Sequence, residues 1–168
     1  MTFFAIAFRN LSLFAAGFGL LAAQQVPERL AKELEEYHQG GDPVHQAKIV
    51  AKLGSSQVEY AKSQLDAGDD VASLHTLQAY RDEVRETEKA LKDTGVNAEK
   101  KPAGFKDLQI SLRESIRRID DMILSMPVDE RQFFREVRTD LSNVQNELID
   151  LLFPRQPGKN PKKQSLHL

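Results

Sequence analysis

The spacing of apolar residues over the last third of the chain constrains its fold most tightly. Phe105, Leu108, Leu112, Ser115/Ile116, Ile119, Met122/Ile123 and Met126 follow one another at alternating three- and four-residue steps. Phe134, Val137, Leu141, Val144, Leu148 and Leu151 repeat the pattern over nearly two and a half heptads. Such steps put side chains on one stripe of a helix and cannot form one face of a strand, where the period is two. They are also the a/d spacing of coiled coils. Clear alternating patterns are missing elsewhere, and the chain is rich in the helix formers Leu, Ala, Glu, Lys, Arg and Gln. The fold class is all-α.

Breakers divide the remainder. A short first helix is expected from Val26 to about Gln39, with Pro27 in its first turn and Leu30 and Leu34 as a thin apolar side. Gly40-Gly41 stops it, and Asp42-Pro43 reads as an N-cap and first helical residue. The second helix carries Ile49, Val50, Leu53, Val58, Ala61 and Leu65 and ends near Ala67-Gly68. Asp69 or Asp70 caps a third, with Val71, Leu74, Leu77, Tyr80, Val84 and Leu91. Gly95 is its stop. Residues 96–104 form the longest internal connection. Met126-Pro127 separates the fourth helix from the fifth, Asp129 and Glu130 favour the fifth helix's start, and Phe153-Pro154 ends it. Short links make sequential helices antiparallel, so the expected architecture is an antiparallel helical bundle of two hairpins plus a short N-terminal helix. Arg81, Arg85 and Glu88 interrupt the seam of helix three, a face read as half-exposed or as meeting another chain.

The first 23 residues, MTFFAIAFRNLSLFAAGFGLLAA, are laid out as a secretory signal peptide: Arg9, then an apolar run from Leu11 to Ala23 ending in small residues before Gln24. The run is shorter than the roughly 20 residues a bilayer demands, and Arg9 and Asn10 interrupt any longer span. Cleavage after Ala23 is expected, and Gln24 stands where a lipoprotein would need cysteine. About 145 residues then remain, an ordinary domain at 24–154 followed by a tail at 155–168. The tail, with Pro157, Pro161, Arg155, Lys159, Lys162 and Lys163, has no apolar period and reads as disordered and basic. The expected location is exported, periplasmic or extracellular, with a bacterial envelope favoured because the chain has no cysteine and hence no disulfide framework. Membrane contact would come only through an uncleaved leader or the tail. The formal net charge of −2 points to no nucleic-acid partner.

Several residues have types and spacings found in chemical sites. Glu35 and His38 have the Glu-x-x-His spacing of carboxylate-bridged di-iron bundles, but those need a second pair and this chain has none. His38 and His45 flank the Gly40-Gly41 turn, which leaves a zinc ion short of ligands. Asp120-Asp121, Glu147 and Asp150 lie beside the heptad stripes, where solvated charges belong. Ser55-Ser56, Ser111 and Ser115 have no base at a recognisable spacing. No catalytic, cofactor-binding or metal residue is assigned, and the chain is not read as an enzyme.

Two stretches resemble known families. From Ala51 to Val84 the chain runs helix, turn, helix, with Ala67-Gly68-Asp69 at the corner and Leu74, Leu77 and Tyr80 beyond it. This resembles a single tetratricopeptide-repeat hairpin, a family that binds extended peptides along stacked repeats. Ser73 and Tyr80 stand where that family wants small residues, its closing proline is missing, and no second copy occurs. Leu141-Ser142-Asn143-Val144-Gln145 is similar to the Leu-Thr-x-x-Gln signature of small periplasmic helical chaperones of the stress-response type, with serine for threonine. The first reading of function is an exported, non-enzymatic helical protein of structural or protein-interaction type. Its alternative is a periplasmic peptide-binding or chaperone-like module, with an apolar groove along helix three and the first helix.

Overall fold

Residues 26–154 are described by a computed structural model; the leader and the basic tail lie outside the described residues. Five helices follow in order: α1 (Glu28–His38), α2 (Pro43–Asp66), α3 (Asp70–Asp93), α4 (Phe105–Ser125) and α5 (Arg131–Leu152). The first begins two residues later than its apolar pattern suggested, because Pro27 keeps an extended ψ of 136°. Asp42 caps α2 by accepting from the His45 amide at 3.1 Å. Asp69, rather than Asp70, caps α3 by accepting from the Ala72 amide at 3.0 Å. Asp129 and Glu130 form the turn just ahead of α5. There the Arg131 guanidinium donates to the carbonyls of Met126 (2.9 Å) and Leu124 (3.2 Å), serving α4's last orphan acceptors.

The hairpins α2/α3 and α4/α5 stand side by side. α2 packs on α3 and α4, α5 packs on α4 and α3, and α3 and α4 sit across a diagonal. Within each hairpin the helices are antiparallel. Across the two hairpins the neighbours are parallel: Ser111 donates to the Ala51 carbonyl at 2.8 Å, and one turn higher Arg118 meets Ser55. The 94–104 link must therefore cross the base of the bundle diagonally, and it buries Ala98 on the way. It closes at Gly104, with φ +80°, against Leu91 and Val44. A Cβ there would lie 3.0 Å from Leu91 and 3.2 Å from the Val44 backbone, so both conformation and space call for glycine.

The core is continuous through all five helices. The α4 stripe is buried throughout, and α5 buries Phe134, Val137, Leu141, Val144 and Leu148. At the α5 terminus Leu152 is the buried residue and Leu151 is 38% exposed, one step away from the heptad reading. Val71, expected on the inner face of α3, is exposed, while Tyr37 of α1 is buried. The α3 seam is half-exposed at Arg81 and Arg85 and buried at Glu88, and it faces α5 of the same chain. Arg81 and Arg85 share Asp140 (3.5 and 2.9 Å), and Lys92 bridges Glu88 (3.2 Å) and Glu147 (2.8 Å).

Candidate functional site

The residues weighed for chemistry are held apart. Glu35 is exposed, and the His38 ring donates through Nδ1 to its own helix at the Leu34 carbonyl, 2.7 Å away. His45 faces Glu36 at 3.9 Å and not His38. Among the described residues no three of His, Asp or Glu gather as a metal site. Asp120 takes a two-pronged bond from Arg138 (2.9 and 3.1 Å), and Glu147 is engaged by Lys92. Ser115 accepts from the buried Tyr80 hydroxyl at 3.0 Å. In the Leu141–Gln145 stretch, Leu141 and Val144 belong to the core, and Ser142 accepts from Arg138 at 3.1 Å.

The hairpin at 51–84 folds as helix, turn, helix, and its contacts account for the large residue at Tyr80. Tyr80 lies against Gly54: a Cβ at Gly54 would come within 2.7 Å of the ring. The small residue needed for close approach is thus on α2 and the large one on α3. Ser73 is fully buried.

Two places stand out on the bundle. The first is an open groove of about 480 Å³ between α2 and α4. Its floor is Ala51, Ser55, Ser111 and Ser115, its wall the 55%-exposed Ile110, and its rim Lys48, Lys52 and Arg118. The hydroxyls of Ser111 and Ser115 turn inward, to the Ala51 carbonyl and to Tyr80, and that of Ser55 accepts from Arg118 at 3.3 Å, which leaves the lining largely apolar. Asp107 and Glu114 complete it, Glu114 already paired with Arg117 at 2.7 Å. This groove lies on the α2/α4 face and not along α3 and α1, where the alternative reading placed one. Small residues cause it: side chains at 51, 55, 111 and 115 are too short to fill the space above a close helix contact.

The second is a polar layer beneath α1. Tyr37 donates to Glu86 of α3 at 3.0 Å, and Gln57 of α2 donates to Oε1 of Glu83 at 3.2 Å. The other atoms of that last pair, Gln57 Oε1 and Glu83 Oε2, are buried without a hydrogen-bond partner. Burial pushes the Glu83 carboxyl up to about 7, opposed by the Gln57 bond and by His38 and reinforced by Asp82 and Glu86. Burial likewise pushes the Tyr37 hydroxyl up to about 12, with Thr87 working against it and Glu86 and Glu83 adding to it.

No family model, curated protein or solved structure matches this chain.

The polar layer escaped sequence reasoning because each of its members sits at the edge of an apolar stripe. Gln57 lies beside Val58, and Glu83 beside Val84. Tyr37 was the one readable signal: seven residues after Leu30, it continues the thin stripe of α1.

Proposed function

We propose that the chain is an exported, non-enzymatic helical protein that works by binding another protein through the α2/α4 groove. The observation carrying this reading is an apolar trough with unanswered positive charge at its edge. Lys48 and Lys52, one turn apart, have no ion-pair partner among the described residues, while the nearby Glu114 is taken by Arg117. An apolar segment bearing carboxylates is the complement: its side chains cover Ala51 and Ile110 and its acids meet the lysines. Peptide binding of the chaperone-like kind is the same chemistry with looser sequence demands. Export rests on the leader's charge and apolar layout.

The test is a titration of the ¹⁵N-labelled 24–168 chain with a synthetic apolar peptide bearing Asp and Glu, beside a counterpart bearing Lys. Shifts confined to Ala51, Ser55, Ile110 and Ser111, given by the acidic peptide alone, are expected. Ile110→Asp and Lys52→Glu, both at exposed sites, should abolish them without unfolding the chain. Equal binding of both peptides, or shifts elsewhere, would count against the groove. N-terminal sequencing of the protein from its own cells should begin at Gln24; an intact Met1 in the cytosol would remove the export reading.

A further inference from the structure

We propose that Glu83 and Gln57 form a cyclic acid–amide pair sealed beneath α1, a latch that opens by the lifting of α1 when the Glu83 carboxyl loses its proton.

The argument begins with donors and acceptors. A carboxylate has acceptors only, and an amide has one acceptor and one NH₂ group. The NH₂ of Gln57 already serves Glu83 Oε1. With Glu83 ionised, the pair would bury an anionic oxygen and an amide oxygen, with no donor for either. A proton on Oε2 supplies the missing donor and lets it serve Gln57 Oε1, so one hydrogen atom satisfies both orphaned atoms. Buried polar groups left unpaired are costly enough to select this state.

Only the Gln57 bond and His38 favour the anion, against burial and two neighbouring carboxylates. From α1, Tyr37 and His38 face Glu83, and the Tyr37 hydroxyl is committed to Glu86. From α2 only the uncharged Gln57 faces it. Its own helix adds Tyr80, Asp82 and Glu86, two of them carboxylates. Arg29, the one arginine of α1, is paired with Glu33 at 2.9 Å. His38 is the single group there able to carry a compensating charge, and its ring is exposed.

An ionised Glu83 therefore needs water, and α1 is the element that can admit it. It has 11 residues, packs on α2, and seats itself by Leu30, Tyr37 and the half-buried Leu34. The four longer helices are locked into one another. At its end lie Gly40 and Gly41 with φ of +73° and +141°, and nothing stands within 4 Å of a Cβ at Gly40. Two consecutive glycines of positive φ, with open space at Gly40 and only the His45 ring at 3.9 Å beside Gly41, make a hinge about which α1 can lift.

The sign follows. Glu83 holds its proton in the folded chain up to about 7, against 4.5 when unfolded. The stability this proton contributes is therefore present below about 4.5 and is lost as pH rises from there through about 7. Hydrogen exchange by mass spectrometry on the 24–168 chain and on its Glu83→Gln variant tests the latch. Glutamine keeps the shape, accepts from Gln57 and donates back to it, so it imitates the protonated acid at every pH. In the wild type, protection of α1 relative to α4 should fall at least tenfold between pH 5 and pH 8. In Glu83→Gln it should stay level, and ¹³C NMR should show the Glu83 carboxyl titrating near neutrality. Equal α1 protection in both proteins at both pH values, or titration of Glu83 in the ordinary carboxylate range, would overturn the proposal.

Discussion

The α4/α5 seam and the seat of α1 are built on opposite plans. Between α4 and α5 the buried side chains are almost all apolar, interlocked from Phe105 to Met126 and from Phe134 to Leu152, with the Arg138–Asp120 pair outside. Beneath α1 two apolar anchors, Leu30 and Tyr37, flank a layer of amide, carboxyl and hydroxyl groups. Packing over many apolar contacts is insensitive to pH and costs much to disrupt. A polar layer is cheap to open and depends on where each proton sits. One chain thus carries a fixed half and a conditional one.

The largest expected effect breaks the fixed half. Leu141 is fully buried, and Leu141→Ala should cost about 2–5 kcal/mol. Denaturant unfolding should show the loss over the whole transition, equally at pH 5 and pH 8. An unmoved midpoint would mean that the α5 stripe is not core.

The same chemistry on α1 sharpens the contrast. Leu30 is 2% exposed, nearly as buried as the leucines of the longer helices, but it anchors one short helix. Leu30→Ala should release α1 in hydrogen exchange while α4 and α5 keep their protection, because the first element to open draws on local rather than global stability. Loss of protection throughout the bundle would show α1 to be integral to the fold.

An intermediate case joins the two halves. Tyr80 crosses from the Gly54 notch to Ser115, linking α3 to both α2 and α4. Gly54→Ala would drive a methyl into the ring, and overpacking of this kind costs about 1–3 kcal/mol. Tyr80→Phe removes the bond and leaves the Ser115 hydroxyl buried, for about 1–3 kcal/mol by the penalty on an unpaired buried group. Tyr80→Phe should not rescue Gly54→Ala, since the ring and not the oxygen alone meets the new methyl.

These two plans also explain what could be read in the sequence. The fixed half was legible because apolar stripes and breakers are local signals. Met126-Pro127 and Asp42-Pro43 placed helix ends to within a residue, and the α4 stripe emerged whole. The parallel neighbours were not legible, since nothing local to residues 94–104 declares that the link crosses a diagonal. Nor was the groove: it arises from Ala51, Ser55, Ser111 and Ser115 being small on facing helices about 60 residues apart, a coincidence of register and not a motif. The polar layer was hidden for a third reason. Gln57 and Glu83 are surface residues by type, and only the docking of α1 turns their edge of the hairpin into an interior.

The smallest effect separates charge from packing on the fixed side. Arg138 forks onto both oxygens of Asp120, and its side chain is 38% exposed. Ion pairs open to water are screened and hold two long side chains at an entropic cost, so Arg138→Ala should lose less than about 1 kcal/mol. Raising salt should shrink even that difference, which a double cycle with Asp120→Ala would resolve. A loss several times larger, insensitive to salt, would mean that the arginine stem packs over the α4/α5 seam as part of its apolar cover. The fixed half would then extend further outward than its buried stripes alone define.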